Sequence, residues 1–279
     1  MFYYLTIIMA VYALLTLLLA LVGTVSKLAR FGARIMVAYI LLVLCALYGV
    51  VASIILTVIG KKGIAQWTVA RAFRNTMCPA MGVEFEVENE DGMWSDRPVV
   101  FVGNHQSELD ILVLGRIFPK YCSVSAKKSL KHMPFLGWFM ALSGTVFIDR
   151  ANRQSALTAF DGAAKDMKER RQSVWIFPEG TRSYATSPMM LPFKKGAFHL
   201  AVQAQVPIVP VVIQNYSHVF NIKALSFESG VIKVKVLPKI ETKGMTGAKA
   251  EIDEMVERVR KQMGEELEAM GMGDTKKRN

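Results

Sequence analysis

Cysteine is scarce in this chain of 279 residues: there are three, Cys45, Cys78 and Cys122. Their spacings suit neither a disulfide framework nor a zinc site, so no covalent or metal staple is expected. Acidic residues are outnumbered, 23 against 34 Lys and Arg, giving a formal net charge of +11. A basic balance can serve nucleic acid, but the lysines and arginines are not interleaved with an aromatic platform or a nucleic-acid motif, so no nucleic-acid partner is expected. Charge of either sign is missing altogether from residues 2–22 and 35–60. What fills those stretches is apolar, and the hydrophobic content of 52% is high for a soluble protein.

Each uncharged run is long enough to cross a hydrocarbon core of roughly 30 Å as a helix. The first lacks the basic head and small-residue cleavage site of a signal peptide, and a second apolar run follows at once. Lys27, Arg30 and Arg34 are expected to fill the loop between the two runs, and Lys61, Lys62, Arg71 and Arg74 follow the second. Such residues suit anionic head groups. With cations at both ends of the second run, charge gives no clean orientation. Two full crossings and a tightly bent pair entering part-way are both open.

Beyond the apolar runs the pattern changes. An amphipathic helix is expected over 63–77, an alternating strand over 83–87 and turn residues over 89–97. Strands at 99–103, 121–126, 145–148, 174–177 and 231–236 then alternate with helices at 108–118, 133–142, 155–170 and 198–205. Residues 207–213 read as a buried strand, but Pro207 and Pro210 argue against a central place throughout. Ile252, Met255, Val256, Val259, Met263 and Leu267 recur at helical spacing. This alternation implies an α/β fold with a mixed, largely parallel central sheet flanked by helices.

Two polar clusters interrupt the apolar pattern. The first is Asn104-His105-Gln106-Ser107-Glu108-Leu109-Asp110, directly after a strand. Residues five apart on one helix are turned about 140° from each other. His105 and Asp110 can therefore meet only if the histidine lies in the strand-to-helix turn and the aspartate in the first turns of the helix. Asp110 would then fix the imidazole tautomer, leaving the other ring nitrogen to take a proton from a hydroxyl. Alone, the pattern reads more often as a surface turn whose Ser107 or Glu108 merely caps a helix. His132, His199 and His218 have no such carboxylate and read as structural or exposed.

The second cluster is Phe177-Pro178-Glu179-Gly180-Thr181-Arg182-Ser183. Ligands of open α/β sheets bind beyond the carboxyl ends of strands, where this turn should lie. Gly180 permits close backbone approach, Thr181 offers a hydroxyl, and Arg182 can grip phosphate oxygens in bidentate fashion. Arg150, ending another strand, is a further anion-binding candidate, or the partner of Asp149. Lys127 and Lys194 could neutralise phosphate or an oxyanion, or simply be solvated. Asn215-Tyr216-Ser217 fits a glycosylation acceptor and is read as unused.

Taken in order, residues 104–110, Gly144-Thr145-Val146-Phe147-Ile148-Asp149-Arg150, 177–183 and 206–211 resemble the glycerolipid acyltransferase family. Within it the chain is most similar to the fungal-type 1-acyl-sn-glycerol-3-phosphate acyltransferases. The resemblance covers about 51–263 and includes residues 126–138 and Pro192-Phe193-Lys194-Lys195-Gly196. It implies transfer of a fatty acyl group from acyl-CoA to the sn-2 hydroxyl of lysophosphatidic acid at a membrane, with the endoplasmic reticulum and a cytosolic catalytic face as the expected setting. His105 would be the general base and Asp110 its orienting partner. Glu179, Gly180, Thr181 and Arg182 would hold the glycerol phosphate with help from Arg150, and Lys127 would face the oxyanion.

A thioester is already activated, so such a reaction needs a base and positive charge, but no bound cofactor, metal or nucleophilic serine. Acyl-CoA enters as a co-substrate. Cys122 as a covalent acyl carrier has no supporting motif. The implied organisation is a membrane anchor at 1–60, a connecting helix and first strand at 61–97, a catalytic domain at 98–270 and a basic tail at 271–279. Two other readings stay open: a related acyltransferase using glycerol 3-phosphate or another lysophospholipid, and a non-catalytic membrane scaffold that keeps the fold.

Overall fold

A computed structural model describes residues 2–93 and 96–273. The expected tail lies mostly outside these residues. The chain opens with helices α1 (Phe2–Val22) and α2 (Lys27–Val58), followed by α3 (Ala65–Met81) and strand β1 (Val83–Glu88). Then come β2 (Val100–Gly103), α4 (Asp110–Ile117), β3 (Cys122–Lys127), α5 (Leu136–Leu142), β4 (Val146–Ile148), α6 (Arg153–Arg170), β5 (Ser173–Ile176) and α7 (Gly196–Ala204). Strand β6 (Ile208–Ile213), the short pair β7 (Phe220–Asn221) and β8 (Ser226–Phe227), β9 (Gly230–Val236) and α8 (Lys249–Met270) complete it.

Seven strands form one sheet in the order β1-β9-β6-β2-β5-β3-β4. All neighbours are parallel except β6 and β9, the mixed and largely parallel arrangement expected. Successive side chains of a strand point to opposite faces, and the two faces carry separate cores. Phe101, Trp175, Val209 and Val211 pack toward α2, α3, α4 and α5. Val100, Val102, Val174, Ile176 and Val212 pack toward α6, α7 and α8. All six apolar residues that marked the last helix are buried in α8. Strand β1 lies in the same sheet, paired with β9.

Three expectations are corrected. Lys27, Arg30 and Arg34 are not in the loop, which is only residues 23–26; they lie in the first turns of α2, which Ser26 caps by accepting from Ala29 N. Residues 208–213 do form an interior strand, between β9 and β2. Pro210 is tolerated because the β9 ladder breaks register beside it. Ile208 bonds with Ile240 and Val211 pairs with Val236, so residues 208–211 oppose the longer stretch 236–240. The missing N–H thus falls at a bulge. Finally, α5 begins at Leu136 rather than Met133, because Phe135 adopts a left-handed φ of 59° just after Pro134.

The two amino-terminal helices are long and apolar enough to cross a membrane. They fold back on each other, with Tyr12 Oη donating to Met36 O at 2.7 Å. Near the start of α2, Arg30 pairs with Glu228 at 3.2 Å and Arg34 donates to Met81 O. Just past its end, Gly63 O accepts from Gln172 Nε2 at 3.3 Å. Both ends of α2 are therefore held against the same α/β body.

Candidate active site

The parallel strands β6, β2, β5, β3 and β4 lay their carboxyl ends along one edge of the sheet. Every residue of the two polar clusters, together with Arg150 and Lys127, lies at or just beyond that edge. β2 ends at Gly103, where a Cβ would stand 2.8 Å from Trp175 Cζ2. Glycine there lets the indole lie across the strand end. Asn104 then binds the β6 backbone twice, donating to Ile213 O at 2.9 Å and accepting from Ile213 N at 2.8 Å. The chain is thereby turned away from the sheet with His105 at its tip.

His105 and Asp110 meet as the spacing argument requires, the one in the turn and the other opening α4. His105 Nδ1 lies 2.6 Å from Asp110 Oδ2, which also accepts from Gln106 N at 2.9 Å. Asp110 Oδ1 accepts from Tyr216 Oη at 2.6 Å. Three donors therefore converge on a carboxylate that is 3% exposed. Burial first, then the adjacent Asp110 charge, push the Tyr216 hydroxyl well above its ordinary pKa, so it is a neutral donor. The imidazole stacks on Phe177 at 4.2 Å between centroids. In the tautomer whose Nδ1–H donates to Asp110, Nε2 carries the lone pair; Nε2 has no hydrogen-bond partner among the described residues.

The Glu-Gly-Thr-Arg turn sits beside this histidine, but its four residues do different things. Glu179 is buried, and its oxygens accept from His105 N at 2.6 Å and Leu191 N at 2.9 Å. Burial raises its pKa, opposed by those backbone N–H groups. In this arrangement its carboxylate braces the histidine loop. Gly180 has φ 71°, and a Cβ there would touch the Lys194 side chain at 3.4 Å. Lys194 thus lies on the turn, while Lys195 pairs away from it with Asp253. Thr181 and Arg182 are exposed.

Arg182 Nη1 lies 2.9 Å from Glu108 Oε1, which also accepts from Tyr184 Oη at 2.6 Å. Arg150 makes no ion pair among the described residues; Asp149 pairs instead with Lys128 at 3.1 Å. Burial, then the charge of nearby Arg182, lower the Arg150 pKa. Arg150, which feels the Arg182 charge and pairs with no carboxylate among the described residues, leaves positive charge at this edge suited to an anion. Cys122 is buried within β3, and burial pushes its thiol well above the ordinary value, so it is no nucleophile.

A family model described as Acyltransferase matches residues 84–214. The 1-acyl-sn-glycerol-3-phosphate acyltransferase of Saccharomyces cerevisiae is 48% identical over 227 residues, covering 81% of this chain and 74% of that one. This chain belongs to the 1-acyl-sn-glycerol-3-phosphate acyltransferase family. The acyltransferase is also 38% identical to the human beta enzyme of that name, covering 83% of this chain and 82% of the relative. The crystal structure of the 1-acyl-sn-glycerophosphate (LPA) acyltransferase PlsC from Thermotoga maritima superposes with a TM-score of 0.62 at 27% identity, covering 92% of this chain and 96% of that one.

Sequence reasoning missed the acyltransferase's Tyr216, Glu108 and Tyr184 as partners of the site. Tyr216 follows β6, more than a hundred residues from Asp110, and no local pattern links them. Glu108 stood within the first motif as a candidate helix cap, and its charge opposite Arg182 was the available signal. Asn215, of the glycosylation pattern, is buried with Nδ2 donating to Ala185 O and Ser187 O at 2.9 and 3.0 Å.

Tyr216→Phe should leave Asp110 Oδ1 without its donor at a buried position. The expected loss is about 1–3 kcal/mol of stability, measured by chemical denaturation in detergent. An unchanged midpoint would show that the hydroxyl is not needed there.

Proposed function

We propose that this protein transfers a fatty acyl group from acyl-CoA to the sn-2 hydroxyl of 1-acyl-sn-glycerol 3-phosphate, giving phosphatidic acid. The observation that carries this reading is the His105–Asp110 pair, with Nε2 unpartnered among the described residues, on the same sheet edge as Arg182 and Arg150. Nε2 takes the hydroxyl proton as the oxygen attacks the thioester carbon. Asp110 stabilises the imidazolium that forms. When the carbon–sulfur bond breaks, the imidazolium returns that proton to the departing thiolate, so base and acid are one residue.

Arg182 and Arg150 hold the acceptor's phosphate, Gly180 and Thr181 offer backbone and hydroxyl contacts, and Glu179 positions the histidine loop. Lys127, the register partner of Ile148 at the end of the strand that leads to Arg150, and Lys194, lying on Gly180, add positive charge for phosphate or oxyanion.

The reading extends to the membrane. Residues 1–60 form the anchor and 98–270 carry the catalytic residues. Because both ends of α2 touch one α/β body, a bent pair entering from one side fits better than two full crossings. Acyl-CoA is made and used in the cytosol, which favours a cytosolic catalytic face, at the endoplasmic reticulum.

The test is an acceptor panel with purified protein and labelled acyl-CoA, using lysophosphatidate, glycerol 3-phosphate and lysophosphatidylcholine. Lysophosphatidate is expected to be acylated with the highest kcat/KM. Preference for glycerol 3-phosphate would move the protein to another acceptor class, and no transfer to any acceptor would support the scaffold reading.

A further inference from the structure

Exposed large apolar side chains are expected on α1 and α2, where lipid is proposed to cover them. Outside those helices a second group stands together on the α/β body. Met133, Trp138 and Leu142 are 43%, 53% and 38% exposed, all between β3 and β4. Single exposed apolar residues need no explanation, but three large ones within ten positions form a patch.

The segment is built to present them. A 3-10 turn spans Lys128–His132, and Phe135 reverses the chain with φ 59°. Gly137 then passes so close to that turn that a Cβ would lie 2.5 Å from Lys131 O and 2.6 Å from Leu130 O. Only glycine allows this approach. Helix α5 turns Phe139 and Met140 into the core. Phe139 packs onto Gly49 of α2, where a Cβ would come within 2.6 Å of the ring. The other side of α5 carries Trp138 and Leu142, so this short helix is apolar on both sides. Trp138 is supported edge-on by Phe135 at 5.1 Å.

We propose that residues 128–142 form a third membrane contact, seating Met133, Trp138 and Leu142 in the head-group layer of an anionic bilayer. The inference rests on the reading that α1 and α2 bind the same bilayer. Two observations select lipid as the occupant. Helix α5 lies against α2, so its outer side chains extend the exposed apolar surface that Leu47, Tyr48, Val51, Ile54 and Ile55 begin. Around the patch stand exposed Lys127 and Lys131, and Lys128 paired with Asp149, a net positive rim that complements anionic head groups. Tryptophan with neighbouring lysines is the composition of a membrane–water interface. Lys127 closes β3 at the catalytic edge, so this contact holds the mouth of the site at the surface where a lysolipid resides.

The test uses the full chain with vesicles of phosphatidylcholine and phosphatidylglycerol. Flotation asks first whether the protein binds; failure to float would sink the bilayer reading itself. For bound protein, the fluorescence removed by Trp138→Phe is expected to be quenched when the lipids carry brominated acyl chains. If that component is unquenched while the protein floats, the third contact is wrong and the anchor reading survives.

Trp138→Glu supplies a second measurement. It should raise the KM for lysophosphatidate in vesicles about tenfold, the equivalent of one large apolar side chain kept out of lipid, and leave turnover of a dispersed short-chain acceptor unchanged. Equal effects on both acceptors would overturn the proposal. So would a halved particle mass in Trp138→Glu, which would assign the patch to a second copy of this chain.

Discussion

The His105→Ala protein is expected to fold, bind vesicles and lose acyl transfer by roughly 10²–10⁴-fold, the usual contribution of a positioned general base. Folding should survive because the imidazole is at the rim of the sheet, 17% exposed, with one side-chain partner and one stacking ring. The loop around it is held by other groups: Asn104 on Ile213, Gln106 N on Asp110, and Glu179 on the His105 backbone. None of these needs the imidazole. Added imidazole should restore part of the lost rate, because the alanine leaves a space beside an intact carboxylate. A merely structural histidine would show no such rescue. Full activity in purified His105→Ala would remove the residue from the chemistry.

Arg182→Ala should act on binding rather than on proton transfer. Charge-assisted bonds to a phosphate contribute about 1.5–3 kcal/mol each, so the KM for lysophosphatidate should rise roughly tenfold to a hundredfold with a smaller change in kcat. Stability should hardly move. The pair lost, Arg182 with Glu108, is solvent-exposed on both sides, and such pairs contribute little. Initial rates against lysophosphatidate concentration give both constants. An unchanged KM would leave Arg150 as the phosphate ligand and make Arg182 a surface cation.

Much of this could be read from the chain because its signals are local. Buried strands, the α8 periodicity and the uncharged runs each report within a dozen residues. His105 and Asp110 are also local, and helix geometry alone required one in a turn and the other on a helix. The failures share a cause. Pro210 looked wrong for an interior strand because the bulge that accommodates it is made with residues after β9. That Glu179 also braces the histidine loop was not legible, because it depends on the backbone N–H groups of His105 and Leu191. Tyr216 was invisible since its partner is brought to it only by the pairing of β6 with β2. Residue types announce chemistry, but whether a polar group faces ligand or loop is decided by tertiary neighbours.

The double attachment of α2 has a consequence for anyone preparing this protein. Phe31 and Cys45 of that helix belong to the same core as Val69, Phe73, Leu112 and Phe139, and Arg30 and Arg34 bind Glu228, just before β9, and the end of α3 at Met81. Cutting the chain at about residue 60 would not release a water-soluble enzyme. It would peel the lid from one of the two cores, leaving a fragment prone to aggregate. Here the greasy helix is a wall of the house as well as its proposed mooring.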